Sequence, residues 1–147
     1  MKYKVRAVQI NDFYKDHIQL LNQLTTAPEI SYSDYHNQLI NIIKQNGYIY
    51  VIEDNKTNKI IASATLLIEY KLIHQCGKVG HIEDVVVDQN YRGKGLGKML
   101  LEHCLIKAQE KACYKVILDC NENNITFYAK LGLIKKENQM VKYFNTN

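Results

Sequence analysis

The spacing of apolar residues changes period several times along the chain, and each period predicts a type of element. Two-residue alternation or a short apolar run predicts strands at YKVRAV (3–8), YIYVIED (48–54), IIASATLLIEY (60–70), VGHIEDVVVD (79–88) and YKVILDC (114–120). The polar turn NKTNK makes the second and third of these a hairpin. The fourth is apolar toward its end, which indicates burial on both faces. The last stretch, LIKKENQMVKYF, predicts one or two further strands.

Three- and four-residue spacing predicts helices between the strands. In chain order they are expected from a cap at Asn11 or Asp12 to about Thr25, from Ser31 or Ser33 to about Gly47, from Leu96 to Lys111, and within NENNITFYAKLG up to Gly132. The predicted helix from Leu96 to Lys111 has one apolar face. That face is formed by Leu96, Leu100, Cys104 and Ala108 and is widened by Leu101 and Leu105. The order β α α β β β α β α β predicts an α/β fold with a mixed central sheet and helices on both faces.

Composition is that of an ordinary globular domain. The chain has 147 residues, of which 46% are hydrophobic and 23% charged, with one proline and no low-complexity tract. That length suffices for one hydrophobic core, so we expect a single domain over residues 1–147. The net charge of +4 suits an anionic small molecule, and without a clustered basic stripe no nucleic-acid partner is expected.

Targeting segments and metal motifs are not evident in the sequence. The amino-terminal MKYKVRAVQINDFYKD lacks the apolar core of a signal peptide, and no run of about 18 apolar residues occurs. We therefore expect a cytoplasmic protein with no membrane span. The four cysteines form no CxxC pair, which favours reduced thiols over a zinc site or a disulfide framework, so no metal is expected.

The segment YRGKGLGK (91–98) carries the strongest chemical signal. Three alternating glycines lie where a predicted strand becomes a predicted helix, and Arg92, Lys94 and Lys98 add positive charge. Glycine permits a positive φ and close approach of the backbone, and the first N–H groups of a helix bind anions. A phosphate or diphosphate site is therefore predicted. Two common nucleotide-binding patterns, the phosphate loop GxxxxGK[ST] and the dinucleotide fingerprint GxGxxG, are not present.

This turn also resembles that of a known superfamily. The run Arg92-Gly93-Lys94-Gly95-Leu96-Gly97 fits the Q/R-x-x-G-x-G/A signature of the GCN5-related N-acetyltransferases, in which the turn holds the pyrophosphate of acetyl-CoA. Further segments resemble the glucosamine-6-phosphate N-acetyltransferase family: LTT (24–26), YKLIH (70–74), GHIEDVVVD (80–88), CYKVILDC (113–120), NNITFYAKLG (123–132) and KKENQMVKYF (135–144).

The resemblance implies direct acetyl transfer from acetyl-CoA to the 2-amino group of D-glucosamine 6-phosphate, in UDP-N-acetylglucosamine synthesis. It implies catalytic roles for Tyr128, Asp119, Glu83 and Asp84. Besides the turn from Arg92 to Lys98, it implies cofactor contacts at Val85, Val86, Val87, Asn124 and Tyr128. From the residues alone other readings stay open: a core aromatic at 128, a turn acid at 119, an ion-paired strand acid at 83 or 84, and a helix cap at 124.

The resemblance also implies a sugar-phosphate site, but this chain lacks one residue that the family carries there. Matching positions are Thr25, Lys71, His74, Glu83, Asp84, Tyr114 and Lys115. Where the family carries an arginine this chain has Tyr143, with Lys142 beside it, and lysine offers no bidentate fork. The resemblance further implies a homodimer whose carboxy-terminal strands complete the partner's sugar site. Acetylation of another amine, and a non-catalytic CoA-binding module, remain as alternatives.

Overall fold

The computed structural model describes residues 2–145, in which five strands form one mixed sheet. The strands are β1 (Val5–Ala7), β2 (Gly47–Asp54), β3 (Lys59–Tyr70), β4 (Lys78–Val87) and β5 (Lys115–Ile117). Their spatial order equals their chain order, with β1 to β4 antiparallel and β5 parallel to β4. The predicted mixed sheet is confirmed, as is the hairpin of β2 and β3.

The helices differ from the prediction mainly in length. They are α1 (His17–Leu21), α2 (Tyr32–Lys44), α3 (Ile73–Cys76), α4 (Leu96–Glu110) and α5 (Ile125–Ala129). The Ser31 hydroxyl caps α2 by accepting a hydrogen bond from the Asp34 amide at 3.0 Å, as one of the predicted caps requires. The four-residue α3 falls in a stretch predicted as loop, and His74, Gln75 and Cys76 there have positive φ.

Two apolar clusters place helices on both faces of the sheet, as predicted. One contains the buried face of α4, with Leu96, Leu100, Leu101, Cys104 and Ala108, against residues of β2, β3 and β4. The other contains Leu20 of α1 with Val51, Ile60 and Val86 from the opposite side of the strands. Since each cluster removes apolar surface from water, both helix layers are stabilised on the sheet.

The sheet opens between β4 and β5. The two strands pair only over Val79–His81 and Lys115–Ile117, whereas β4 continues to Val87. On its other side β4 shifts register against β3, where Asp84 takes a φ of 52°. Because β5 is shorter than the predicted strand over 114–120, the carboxyl end of β4 has no strand neighbour on that side among residues 2–145.

The predicted strands in LIKKENQMVKYF are wrong for this single chain. Residues 133–145 contain no strand, and the apolar side chains of Ile134, Met140 and Tyr143 are 83%, 94% and 87% exposed. A strand needs a neighbour to pair its backbone groups, and within the described residues this segment pairs with neither edge strand of the sheet, β1 or β5.

A buried polar network joins the amino-terminal segment to the sheet. Asp12, expected as a possible helix cap, is fully buried and accepts hydrogen bonds from the Arg6 guanidinium at 2.8 and 2.9 Å. His17 is 2% exposed; its Nδ1 lies 2.7 Å from the Tyr35 hydroxyl and its Nε2 3.0 Å from the Ser63 hydroxyl. Burial is the main cause that lowers the pKa of His17 to about 4, so the ring is neutral at pH 7.

Stability is therefore expected to fall in mild acid. Below pH 6.5 the unfolded chain protonates His17 while the folded chain resists protonation down to about pH 4. Between pH 7.5 and pH 5 the free energy of unfolding should fall by about 2 kcal/mol more in the wild type than in His17→Gln. Urea denaturation at the two pH values measures this difference, with His36→Gln as the exposed-histidine control. An equal loss in wild type and His17→Gln would contradict the assignment.

Candidate active site

The glycine-rich turn lies at the open end of β4. The chain leaves β4 through a 3₁₀ turn (Gln89–Tyr91) and then reaches α4 through residues 92–95. Gly93 and Gly95 both have a φ of 80°, in the left-handed region that other residues rarely adopt. The Arg92 side chain turns back and donates from Nε to the Val87 carbonyl at 3.4 Å. These glycines therefore fix the reversal between strand and helix.

The outer surface of this turn has room for a ligand. A Cβ atom built on Gly93 or Gly95 would meet nothing within 4 Å. The first helical bond of α4 runs from the Met99 amide to the Gly95 carbonyl, so the amides just before Met99 have no partner inside the helix. Free N–H groups, the helix dipole and the nearby lysines together favour a phosphate-type anion.

Gly97 has a different role from the other two glycines. A Cβ atom on Gly97 would lie 3.3 Å from Cζ of Phe127 and 3.8 Å from a methyl carbon of Val87. A side chain there would crowd the Phe127 ring of α5, whereas its contact with Val87 would be an ordinary one. The third glycine therefore permits close packing of the elements that surround the turn.

Three carboxylates gather beside the open end of β4. Glu83 and Asp84 lie on β4, and Asp119 lies two residues beyond β5. All three are exposed, although the apolar end of this strand indicates burial on both faces; β5 ends too early to cover them. Partial desolvation and then the negative charges of Asp84 and Asp119 raise the pKa of Glu83. That shift makes Glu83 a better proton acceptor than an isolated glutamate.

Tyr128 lies on α5. It is half-buried and packs against the cluster that contains α4. Burial, followed by the nearby Cys120 thiol, raises the pKa of the Tyr128 hydroxyl, so the phenol stays protonated at neutral pH and can donate. Asn124 is the residue before α5, but its side chain makes no capping hydrogen bond, which disfavours the cap interpretation.

The predicted sugar-phosphate residues form a separate aromatic and cationic group. The rings of His74 and Tyr114 stack with centroids 4.0 Å apart, and Lys115 Nζ lies 5.8 Å from the Tyr114 ring centroid. Lys71 Nζ lies 3.3 Å from a Glu69 carboxylate oxygen. His81 Nε2 lies 2.8 Å from the same oxygen.

A single chain does not bring these residues next to the acids. Lys115 pairs with Val79, four residues before Glu83, which corresponds to about 13 Å along the strand. Thr25 follows α1 on the surface. Lys142 and Tyr143 are exposed in the carboxy-terminal segment, where Lys142 Nζ lies 6.0 Å from the ring centroid of Phe144.

Sequence reasoning missed Gln139 as a neighbour of the candidate site. Its side-chain Nε2 donates a hydrogen bond to Asp119 Oδ2 at 2.9 Å. The bond holds the carboxylate in one orientation and links the carboxy-terminal segment to the acid group. No local pattern could have indicated this hydrogen bond, because twenty residues separate the two partners. The sequence around Gln139 instead predicts a strand.

One cavity of the protein is lined by none of the predicted site residues. It measures about 380 Å³ and lies between α1, the β2–β3 hairpin and residues 88–91. Its polar groups bind one another: Lys59 pairs with Asp16 at 2.9 Å, and Gln23 donates to Asp88 at 3.3 Å. This cavity therefore offers few unsatisfied groups to a ligand.

No group of three or more histidine, cysteine, aspartate or glutamate side chains within residues 2–145 is placed to hold a metal ion. None of the helices described there combines the length and the apolar character needed to cross a membrane.

Comparison with known proteins gives consistent matches over nearly the whole chain. The model of the acetyltransferase (GNAT) family matches residues 12–133. Glucosamine 6-phosphate N-acetyltransferase of Arabidopsis thaliana is 41% identical over 145 residues, which cover 97% of each chain. A protein of the same name from Dictyostelium discoideum is 42% identical over 143 residues, 96% of this chain and 90% of that one. The crystal structure of the Arabidopsis protein matches with a TM-score of 0.95, covering 99% of this chain and 100% of that one at 41% identity.

Proposed function

Because this chain belongs to the acetyltransferase (GNAT) family and to the glucosamine 6-phosphate N-acetyltransferases within it, we propose that it acetylates D-glucosamine 6-phosphate with acetyl-CoA. The products are N-acetylglucosamine 6-phosphate, a precursor for UDP-N-acetylglucosamine synthesis, and CoA. The whole chain, residues 1–147, is proposed to act as one N-acetyltransferase domain. The observation that carries the proposal is the open glycine turn beside the three carboxylates at the end of β4.

Acetyl-CoA binds, in this proposal, across the open end of β4. The free amides of residues 93–98, with Arg92, Lys94 and Lys98, hold its diphosphate. The backbone of Val85, Val86 and Val87 has no strand neighbour on the β5 side among the described residues and binds the pantetheine arm there. Asn124, just before α5, and Tyr128, within α5, line the same opening and direct the thioester toward the carboxylates.

Transfer then proceeds in one direct step within a ternary complex. The unprotonated 2-amino nitrogen attacks the thioester carbonyl carbon, the new C–N bond forms and the C–S bond breaks. Glu83, Asp84 and Asp119 orient the amine and accept its proton, directly or through water, and the raised pKa of Glu83 suits that role. Tyr128 gives its proton to the leaving thiolate and regains one from solvent.

The acceptor is tested by comparing amines under one set of conditions. Turnover is expected with glucosamine 6-phosphate, at lower kcat/KM with unphosphorylated glucosamine, and not with spermidine or a lysine peptide. Release of CoA thiol measures all four. The exposed acid group favours a cationic acceptor as the second candidate, because it would attract a polyamine. Turnover confined to spermidine or the lysine peptide would reject the sugar phosphate and support this second candidate.

We also propose a homodimer in which two chains build each sugar site. Two observations support it: the aromatic and cationic residues lie about 13 Å along the sheet from the acids of their own chain, and the carboxy-terminal segment exposes Met140 and Phe144. A second copy can cover the apolar segment and place cations beside the acids. The proposed phosphate ligands are Thr25, Lys71, His74, Tyr114, Lys115, Lys142 and Tyr143.

Mixing two inactive variants tests whether the site is shared. Tyr128→Phe and His74→Ala impair different parts of the site, so a mixed dimer regains one intact site when those parts come from different chains. Statistical exchange of subunits should then restore about a quarter of wild-type activity. Light scattering should give twice the mass of one chain. Monomers in solution, or no recovery after verified subunit exchange, would contradict the shared site.

A cytoplasmic location is part of the same proposal. All four cysteines, Cys76, Cys104, Cys113 and Cys120, are free thiols. Free thiols persist in the reducing compartments of the cell, whereas disulfides are typical of secreted proteins.

A further inference from the structure

Asp119 is the one member of the acid group that lies outside a strand. It follows β5 by two residues in an irregular, exposed stretch of the chain. Among residues 2–145, no lysine, arginine or histidine forms an ion pair with its carboxylate. The only hydrogen bond to that carboxylate within the same residues comes from Gln139, whose Nε2 lies 2.9 Å from Asp119 Oδ2. Gln139 is therefore what fixes the orientation of this acid.

The hydrogen bond has a defined direction. An ionised carboxylate can only accept hydrogen bonds, so the amide of Gln139 must present its NH₂ group rather than its carbonyl oxygen. The contact occupies Oδ2 of Asp119 and leaves Oδ1 open to a ligand. After desolvation and Asp84, the charge of Asp119 also raises the pKa of Glu83, so the orientation of one acid affects its neighbour.

Gln139 holds the carboxylate without neutralising it. A lysine or arginine in its place would pair with Asp119 and weaken the attraction of that acid for an amine. An amide carries no net charge, so Asp119 keeps its negative charge for the acceptor, which at neutral pH arrives partly as an ammonium ion. A neutral donor can thus orient a carboxylate and cost it less of its affinity for a cation or a proton than a charged donor would.

We propose that Gln139 is a positioning residue of the acceptor site, whose amide holds Asp119 so that its free oxygen, Oδ1, receives the attacking amine. The inference rests on the proposed function, because it requires an amine beside the acid group. A carboxylate that is already held in one orientation does not have to be ordered when the amine binds. Loss of the hydrogen bond is therefore expected to appear in kcat/KM for the acceptor.

Gln139→Met tests the inference by steady-state kinetics, because it keeps an unbranched side chain of similar length and removes the amide. It is expected to lower kcat/KM for glucosamine 6-phosphate about 10-fold and to leave CoA affinity within about twofold of wild type. In an Asp119→Ala background the same replacement should change kcat/KM by less than about twofold, since the carboxylate on which Gln139 acts is absent. Equal losses in the two backgrounds would overturn the inference, because Gln139 would then act through the fold or the assembly of the chain.

Gln139→Glu gives a readout that a purely structural residue would not change. Its carboxylate would lie beside that of Asp119, and repulsion between them raises the proton affinity of the acids. Since the acids must be unprotonated to act, the acid limb of the kcat profile should move to higher pH by at least about half a unit. Asn138→Asp adds the same charge at the neighbouring exposed position and is the matched control, with a profile expected to follow the wild type. Coincident profiles for the two variants would contradict the positioning role.

The possible failures separate this inference from the proposed function. Wild-type kcat/KM in Gln139→Met would overturn the positioning role, while acetyl transfer to the sugar phosphate would stand. Absence of turnover of glucosamine 6-phosphate by the wild type would instead overturn the proposed function, and with it the reaction that the inference requires.

Discussion

Replacing Tyr128 by phenylalanine is expected to lower kcat about 100-fold, the scale of a lost general acid. The ring packs against the cluster around α4 and stays in place, so only the hydroxyl is removed. Because burial keeps the pKa of that hydroxyl above its usual range, the wild-type group is protonated and ready to donate. Steady-state turnover with saturating glucosamine 6-phosphate measures the change, and calorimetry should find CoA affinity within about twofold of wild type.

Tyr48→Phe is the matched control for this variant. Tyr48 is also partly buried and packs against the same apolar cluster, but it lies on β2 and is not part of the proposed site. Its replacement should leave kcat unchanged. If Tyr128→Phe retained wild-type turnover, the phenol would have no part in stabilising the leaving thiolate. If it lost CoA binding to the same extent as turnover, its role would be in binding rather than proton transfer.

Gly95→Val is expected to weaken acetyl-CoA binding at least about 30-fold. Valine disfavours the φ of 80° that this residue adopts before α4, and its methyl groups would point into the space assigned to the diphosphate. A Cβ at Gly95 meets no protein atom within 4 Å, so the folded chain has room for the new side chain. Calorimetry with CoA gives the affinity, and urea denaturation gives the cost in stability.

Asn46→Val separates backbone strain from occupation of the ligand site. Asn46 has a φ of 62° just before β2, outside the proposed site, so valine brings similar strain there without filling it. This variant should lose stability, by about 1–2 kcal/mol, and keep its affinity for CoA. Gly95→Ala adds a smaller side chain at the turn and should give an intermediate affinity. Wild-type affinity in Gly95→Val would remove the turn from the binding site.

The parts of the fold predicted well from sequence are those governed by local rules. The apolar face of α4 follows helical spacing: of the six residues predicted for it, five are buried and Leu105 is partly buried. The hairpin of β2 and β3 follows from two apolar runs around a polar turn. The positive φ of Gly93 and Gly95 is the kind of geometry that alternating glycines indicate. In these three cases the sequence pattern lies in the same residues that form the predicted element.

The errors arise where a neighbour far along the chain decides the outcome. YKVILDC reads as a seven-residue strand, yet only Lys115–Ile117 pairs, because β4 turns away at the bulge near Asp84. That separation also exposes Glu83, which a covered strand would have buried. The carboxy-terminal apolar residues have the pattern of a strand, but within residues 2–145 they pair with neither edge of the sheet.

Contacts between distant residues were likewise beyond the reach of sequence patterns. The hydrogen bond from Gln139 to Asp119, for example, joins two segments that only the fold brings together. The predicted catalytic residues, by contrast, came from resemblance, since an acid in a strand or a tyrosine in a short helix has an ordinary structural explanation. Their roles therefore depend on where the thioester lies.

A crystal structure of the protein with CoA measures that position directly. The proposal requires diphosphate oxygens within about 3 Å of backbone amides in residues 93–98 and the CoA sulfur within about 4 Å of the Tyr128 hydroxyl. Glu83 and Asp119 should face the same end of the ligand. A diphosphate bound away from the glycine turn, or a sulfur beyond the reach of Tyr128 and the carboxylates, would contradict it.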